Sequence, residues 1–398
     1  MPPLEVAFYY PIPLMLSSLL GLCYNGNTKG GKKLARTVKT AKVVNSAKKS
    51  RNYVIDLIRF ICAIGIVIHH CAFLYYIDPN EIPDNSRFRI GIILVEIFLI
   101  VSGYFTAKHF KTNRILKLET RFKDSIKYTL KKFKVFIPYI IISVLLGLAV
   151  SLIINGLTRQ HLIEEISKLP EELTLSSVFY NTFVIPAHNP ALWYLSATFL
   201  AFPLFCVLSA SHKKFTRDWI YLIAILVYYT TFWTGSFTSW DALIRVFIGL
   251  AFGQLLFDLV EYFKTIKLKK SQKVYLTVIE LSCALLIFAQ IASRGDALRP
   301  VINNPTIFNI LLAAFVQLLL VLSEQTYSTK INFKFFSFLG KFSLPIYLLH
   351  YPVLILVGHM LSNLDYKPKV VIAIISSLVC SAIIFLIVDY ISRKKSKQ

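Results

Sequence analysis

The sequence has few charged residues and few cysteines for its length, and both shortages restrict what the protein is. Only 16% of its 398 residues are charged, whereas 56% are hydrophobic, and the mean hydropathy is +0.60. A soluble domain of this length carries more polar surface than this composition supplies. The sequence therefore predicts an integral membrane protein.

The six cysteines do not suit a disulfide framework. Five of them lie inside predicted membrane spans, and Cys23 lies in the N-terminal segment. Disulfide frameworks are built from paired cysteines in an oxidising compartment. Because no predicted exported loop holds a cysteine, the sequence argues against one here.

We expect no secretory signal in the first 24 residues. The apolar patch 12–24 has no basic residue ahead of it and is too short to span a bilayer. Together with the lysine-rich stretch that follows, it forms a segment, 1–50, that we interpret as a basic, disordered cytoplasmic extension. A helix lying on the inner leaflet is the alternative.

Ten apolar runs are long enough to cross about 30 Å of hydrocarbon as helices. They cover residues 54–77, 90–107, 135–154, 191–209, 219–233, 242–258, 274–292, 306–323, 338–361 and 370–391. Six connecting or terminal segments hold 33 Lys and Arg, and the five segments that alternate with them hold 8. The positive-inside rule then places both termini in the cytoplasm. We expect an all-α, multi-pass protein of the cell membrane whose cations face anionic lipid headgroups rather than nucleic acid.

Ionisable side chains occur inside the first two spans, where they are costly and commonly functional. Asp56 and Arg59 begin the first span, and His70 follows Arg59 by eleven residues. At about 100° per residue, Arg59 and His70 share one helix face about 16 Å apart, whereas His69 points about 100° away. Glu96 lies in the second span near the depth of His70, which suggests an imidazole oriented by a carboxylate as a general base. The alternative is a buried ion pair that only fixes helix rotation.

Further candidate residues lie at the ends of later spans. Lys131 and Lys134 are i and i+3 neighbours on a predicted helix and can bind one phosphate together. Trp193 and Arg245, near the outer surface, would shape a sugar-binding vestibule or serve only as interface anchors.

The ninth span carries a histidine between two prolines. His350 lies at mid-membrane, where a side chain facing lipid is hard to explain. Pro345 and Pro352 should kink this helix and expose backbone carbonyls to a cavity.

Four motifs, taken in order, resemble the acyltransferase-3 family of multi-span enzymes that acylate envelope and secreted glycans. They are Asp56, Arg59 and His70 at family spacing, Glu96 through Ser-Gly-Tyr at 102–104, Leu-Trp-Tyr-Leu at 192–195, and Ser-Leu-Pro-Ile-Tyr-Leu-Leu-His ending at His350. The resemblance covers about residues 51–391, which we expect to be one membrane domain. It leaves out the N-terminal extension and a basic cytoplasmic tail, 392–398.

The resemblance implies transfer of an acyl group, most often acetyl, from cytoplasmic acyl-CoA to a sugar hydroxyl at the outer face. On the donor side it implies roles for Asp56 and Arg59, with Ser102 near the thioester, although Ser102 at a Ser-Gly pair also suits helix packing. Lys131 and Lys134 are the nearest counterparts of an Arg-x-x-Arg pair that the family often has. Acyl-CoA is a co-substrate here, and the resemblance implies neither a bound cofactor nor a metal.

The chemistry that the resemblance implies centres on His70. Oriented by Glu96, it would deprotonate the acceptor hydroxyl or carry the acyl group covalently. Trp193, Arg245 and His350 would lie on the side of the glycan or lipid-linked sugar acceptor.

Two other classes of protein compete with this interpretation. A transporter or flippase for a lipid-linked glycan also uses charged groups at mid-membrane, but transporters commonly have internal repeats, and the Asp56–His70 pattern occurs once. A purely structural membrane subunit ranks last. Since no relaying domain follows the last span, we expect that the acceptor reaches the membrane site itself or that a separate envelope transferase finishes the transfer.

Overall fold

A computed structural model describes residues 52–71, 91–112, 118–173, 177–184, 186–209, 214–232, 239–292 and 306–395. The predicted N-terminal extension, 1–50, lies outside the described residues.

Within those ranges the chain forms helices and short connections, with no strand. The α-helices are α1 (Val54–His70), α2 (Gly91–Thr112), α3 (Leu118–Lys134), α4 (Ile137–Asn155), α5 (Arg159–Leu173), α6 (Ser177–Phe183), α7 (Leu192–Ser209), α8 (Lys214–Val227), α9 (Ser239–Phe263), α10 (Lys270–Ala292), α11 (Thr306–Ser323), α12 (Phe335–Met360) and α13 (Tyr366–Lys395). A π-helix, Tyr228–Phe232, follows α8, and a 3₁₀ turn, Tyr327–Lys330, precedes α12. The all-α fold class is confirmed.

Seven of the described helices are long and apolar enough to cross a membrane. These spans are Ile93–Lys111, Ile137–Asn155, Leu192–Ser209, Trp240–Phe263, Lys270–Ala289, Phe335–Met360 and Tyr366–Lys394. The other three predicted spans, at 54–77, 219–233 and 306–323, coincide with α1, α8 and α11, whose described apolar lengths are shorter. The multi-pass character is confirmed, whereas the number ten and the orientation of the termini stay predictions.

Two glycines let α2 and α9 cross closely. A Cβ added at Gly103 would overlap the backbone of Leu250, and one added at Gly253 would overlap the backbone of α2. In a bilayer, where lipid is as apolar as the side chains, close backbone approach of this kind supplies packing energy between helices. The crossing brings Glu96 of α2 next to Arg245 of α9.

The basic end of the bundle is the end at which α3 and the first turns of α12 lie. Helix α3 is amphipathic and rich in lysine, is too polar to be a span, and packs on α7. Nearby, α12 packs along α1, and Gly340 leaves room for the buried carboxylate of Asp56. A Cβ added at Gly340 would lie 2.6 Å from Asp56 Oδ1. These contacts place the residues of α1, α3 and α12 around a common space.

Candidate active site

A cavity of about 880 Å³ opens at the basic end of the bundle. Its lining includes all five residues predicted to hold the donor: Asp56, Arg59, Ser102, Lys131 and Lys134. They come from the consecutive helices α1, α2 and α3, so the structure brings residues of three helices to one space. The donor role of each residue stays a prediction, but their common location is a property of the fold.

Positive charge dominates the lining of this cavity. Lys132 and Lys341, which the sequence interpretation did not single out, also line it. Among the residues that the structure describes, no carboxylate lies within 4.0 Å of the ammonium of Lys131, Lys132, Lys134 or Lys341. The two acidic lining residues each form an ion pair with an arginine of their own helix. Asp56 Oδ1 lies 3.7 Å from Arg59 Nη1, and Asp389 Oδ2 lies 2.7 Å from Arg393 Nη2.

Lys132 is held over two aromatic rings at the edge of this cavity. Its Nζ lies 5.0 Å from the ring centre of Tyr128 and 4.7 Å from that of Phe202, and 3.5 Å from Oγ1 of Thr106. Burial lowers the pKa of Lys132 to about 8. The rings attract the cation by cation–π contact without neutralising it. One sequence signal could have found this lysine, since Tyr128 precedes it by the four residues that place side chains on one helix face.

His70 lies in a cluster of rings at the end of α1. Its ring centre is 5.0 Å from that of His350, 4.9 Å from that of His69 and 6.2 Å from that of Tyr351. His350, which was assigned to the acceptor side, is therefore a direct neighbour of the predicted base.

The tautomer of His350 follows from its hydrogen bonds. Nδ1 lies 2.7 Å from the carbonyl oxygen of Tyr347 and 3.2 Å from that of Ile346. A carbonyl only accepts, so Nδ1 carries the proton and the other ring nitrogen, Nε2, has a lone pair in the neutral ring. Within the described part of the chain, that buried Nε2 has no hydrogen-bond partner.

Glu96 is bound by two other residues rather than by His70. Arg245 Nε donates to Oε1, and the Tyr229 hydroxyl donates to Oε2 at 2.9 Å. Among the described residues no hydrogen bond or ion pair joins Glu96 to His70, because equal depth in the bilayer does not fix the direction in which a side chain leaves its helix, and the catalytic role of Glu96 stays a prediction. The α2–α9 crossing turns Glu96 towards Arg245. Tyr229, from the π-helix after α8, was missed because it lies in an apolar stretch without a motif.

Trp193 and Arg245 are neighbours, as the vestibule interpretation requires. The guanidinium carbon of Arg245 lies 5.1 Å from the Trp193 ring centre. However, Arg245 is 0% exposed and Trp193 is 7% exposed, so the described residues form a closed contact rather than an opening. An acceptor role for the pair stays a prediction.

Tyr347 connects the cavity with the histidine cluster. It lines the cavity, and its ring centre lies 6.0 Å from that of His350 and 5.5 Å from that of Tyr194, which lines the cavity too. Its hydroxyl donates to the carbonyl oxygen of Ala191 at 3.0 Å. The Tyr347 ring thus separates a ligand in the cavity from His350, and the His350 ring in turn contacts His70.

Comparison with known proteins adds one finding to this geometry. The family model described as an acyltransferase domain matches residues 52–386, nearly the whole chain. The chain belongs to the acyltransferase-3 family. No curated protein and no solved structure matches it. Family membership makes the protein a membrane acyltransferase, and its histidine cluster and basic cavity both contain reactive or charged groups.

The predicted exposure of a backbone carbonyl to a cavity is not found at Pro352, and the predicted kink of α12 stays a prediction. Pro352 lacks the N–H that would bind the carbonyl of Leu348, four residues earlier. Asn189 Nδ2 donates to that carbonyl at 2.8 Å, so the freed group is taken by a side chain rather than exposed to a cavity. Pro345 similarly frees the carbonyl of Lys341, and Lys341 is a residue of the cavity lining of this acyltransferase. The asparagine was missed because its partner is 159 residues away in the chain.

Proposed function

We propose that this acyltransferase moves an acyl group, most simply acetyl, from acyl-CoA bound in the basic cavity to a sugar hydroxyl of an envelope or exported glycan. The basic segments at the cavity end support a cytoplasmic donor site, because the positive-inside rule favours Lys and Arg on that side. The observation that carries the proposal is the lysine cluster of the cavity, one aromatic layer from His350.

The charge of the cavity suits the phosphates of coenzyme A. Lysine ammonium groups bind phosphate as point charges, and hydrogen bonds between charged partners are about twice as strong as neutral ones. Four lysines and Arg59 surround the space, and none of the four lysines has a carboxylate partner in the described ranges. A bound polyphosphate would compensate this excess of positive charge. The volume, about 880 Å³, falls within the range of ligand sites.

His70 supplies the base in this proposal. The acceptor hydroxyl oxygen attacks the thioester carbonyl carbon while its proton passes to His70; the C–S bond then breaks, and the imidazolium returns the proton to the CoA thiolate. The His350 ring, whose Nδ1 proton is held by the Tyr347 carbonyl, orients His70 by ring packing, since the two ring centres lie 5.0 Å apart. Orientation and proton transfer of this kind typically contribute a factor of about 10² to 10⁴ in rate.

The test compares cells that lack the protein with cells that carry the wild type, His70→Ala or His359→Ala at equal membrane levels. His359 is an exposed histidine at the end of α12 and serves as the matched control. Base-labile acyl groups are released from envelope glycans and identified by mass. We expect the wild type and His359→Ala to restore an ester and His70→Ala not to.

Two results would overturn the proposal. If no ester differs among the strains but glycan export does, the protein acts as a transporter. If an ester is restored equally by His70→Ala, the base is another residue. The mass of the released acid identifies the acyl group in the supporting case.

A further inference from the structure

His188, just before α7, is held between two carboxylates of α5. Its Nε2 lies 3.1 Å from Glu165 Oε2, and its Nδ1 lies 3.2 Å from Glu172 Oε1, which also accepts the backbone N–H of His188 at 2.7 Å. All three residues are at most 5% exposed. A neutral imidazole has one N–H, so only the protonated ring donates to both carboxylates. The geometry therefore fits an imidazolium.

Few other charges face this cluster. Lys168 Nζ binds Glu165 Oε1 at 2.5 Å and lies 3.3 Å from Glu164, which is mostly exposed. Helices α4 and α6, which pack against α5, contain no Asp, Glu, Lys or Arg. On the side of α12, the titratable groups next to the segment are Tyr347 and, three residues later, His350. The charge state of His188 is thus set by the two glutamates.

The segment that His188 begins holds α12 at two points. Asn189 donates to the Leu348 carbonyl that Pro352 leaves free, at 2.8 Å, and the Ala191 carbonyl accepts the Tyr347 hydroxyl at 3.0 Å. Leu348 and Tyr347 lie two and three residues before His350 in α12, and the Tyr347 carbonyl fixes the His350 tautomer. On the other side, Gly147 of α4 makes room for the His188 backbone. Anchoring of residues 188–191 therefore sets the position of this part of α12.

We propose that His188 is a positioning residue of the acyl-transfer site: as an imidazolium bridged between Glu165 and Glu172, it fixes residues 188–191 and through them the rings of Tyr347 and His350. The positioning role rests on the proposed function, whereas the bridge itself does not. His188 has no contact with the reacting groups, and its effect passes through Asn189 and Ala191.

The bridge should weaken as pH rises. Burial by itself would lower the pKa of His188, but hydrogen bonds and charges from Glu172 and Glu165 outweigh burial and raise the pKa above its ordinary 6.5. A group whose pKa is raised on folding stabilises fully below its unfolded pKa and loses that contribution as pH rises through the folded value. The stabilisation is therefore complete below about pH 6.5 and declines above it.

The experiment uses the full-length protein in lipid nanodiscs, with His188→Gln, Glu172→Gln and Glu164→Gln as variants. Thermal unfolding midpoints, without any substrate, and kcat for transfer from acetyl-CoA are measured from pH 6 to pH 9. We expect the ratio of the wild-type kcat to the His188→Gln kcat to fall as pH rises. The fall should be up to about tenfold for each unit by which folding raises the pKa of His188, and KM for acetyl-CoA should not change. The difference between their unfolding midpoints should shrink over the same pH range. Glu172→Gln should move the decline to lower pH, and Glu164→Gln, on the exposed side of α5, should follow the wild type.

The outcomes separate the bridge from the proposed function. The bridge would be overturned if two quantities stay constant with pH: the ratio of wild-type to His188→Gln kcat, and the difference between the unfolding midpoints of these two proteins. This holds even if acyl transfer is measured. A midpoint difference that declines with pH while no variant, including the wild type, transfers acyl groups would support the bridge and reject the proposed function. A midpoint difference that declines while the kcat ratio stays constant would overturn the positioning role.

Discussion

The cavity at the basic end and the cluster around Glu96 contain similar residue types in opposite arrangements. The lysines of the cavity are exposed or half-buried and have no carboxylate partner among the described residues. In the second cluster, Arg245 and Glu96 are each 0% exposed, and both oxygens of the carboxylate accept hydrogen bonds from protein. A matched, dry pair is complete without a ligand, whereas unmatched cations around a cavity require water or a bound anion. The first arrangement suits binding and the second suits architecture.

The largest expected effect tests whether His70, rather than the Glu96 cluster, supplies the base for acyl transfer. Replacing His70 by Ala should lower the acyl-transfer rate of purified protein by about 10² to 10⁴, the usual contribution of a general base. The rate of CoA thiol release with acetyl-CoA and an acceptor sugar is the measurement. The control is His359→Ala. If His70→Ala lowers the acyl-transfer rate by less than threefold relative to this control, His70 is not the base, and the contrast between a binding cavity and an architectural Glu96 cluster does not hold.

The next effect tests the architectural role of the Glu96 cluster. Glu96→Gln leaves the Arg245 guanidinium buried and without its carboxylate, and breaking a buried pair in this way costs about 3–5 kcal/mol. We expect a large loss of thermal stability and of membrane abundance, measured in detergent-solubilised protein. The double variant Glu96→Gln with Arg245→Met removes both charges and should recover most of the stability.

Activity in that double variant separates the two interpretations of Glu96. If stability and transfer both return, the pair is architectural, as the geometry indicates. Recovered stability without transfer would give Glu96 a catalytic role after all.

A smaller effect tests the cavity. Lys132→Met should raise KM for acetyl-CoA by about 10- to 150-fold, because a hydrogen bond to a charged group contributes about 1.5–3 kcal/mol, and should leave kcat nearly unchanged. Since burial lowers the pKa of Lys132 to about 8, the lysine loses its charge as pH rises through that value, and wild-type KM should rise there. Lys127→Met is the control, because Lys127 is exposed on α3 and does not line the cavity. A pH-dependent KM that persists in Lys132→Met would contradict the assignment.

The smallest effect concerns the link between α7 and α12. Asn189→Ala leaves the buried Leu348 carbonyl without its donor, which should cost about 1–3 kcal/mol of unfolding free energy. Adding Pro352→Ala restores the helical N–H for that carbonyl, and we expect thermal unfolding of the double variant to show partial recovery. No recovery would mean that Asn189 acts through another contact.

Much of the lining of the basic cavity could be predicted from the sequence, because its signals are local. The spacing of Asp56, Arg59 and His70 depends only on helix geometry, and the lysines at 131 and 134 follow from a cationic helix next to a span. All the predicted donor residues line one cavity. The neighbours of Glu96 could not be predicted, because the choice between His70 and Arg245 depends on which helices cross and at what rotation.

The sequence by itself determined the class of the protein, since a chain with this apolar content and these repeated long apolar runs has to place helices in lipid, and its motifs are those of one family. The tertiary structure decided which charges are paired. Glycines at the α2–α9 crossing set how closely and at what rotation those helices meet, and this directs Glu96 to Arg245 and Tyr229. A proline in α12 frees a carbonyl that Asn189, far away in the chain, binds. Such contacts depend on rotation and distance between helices, which hydropathy and spacing do not encode.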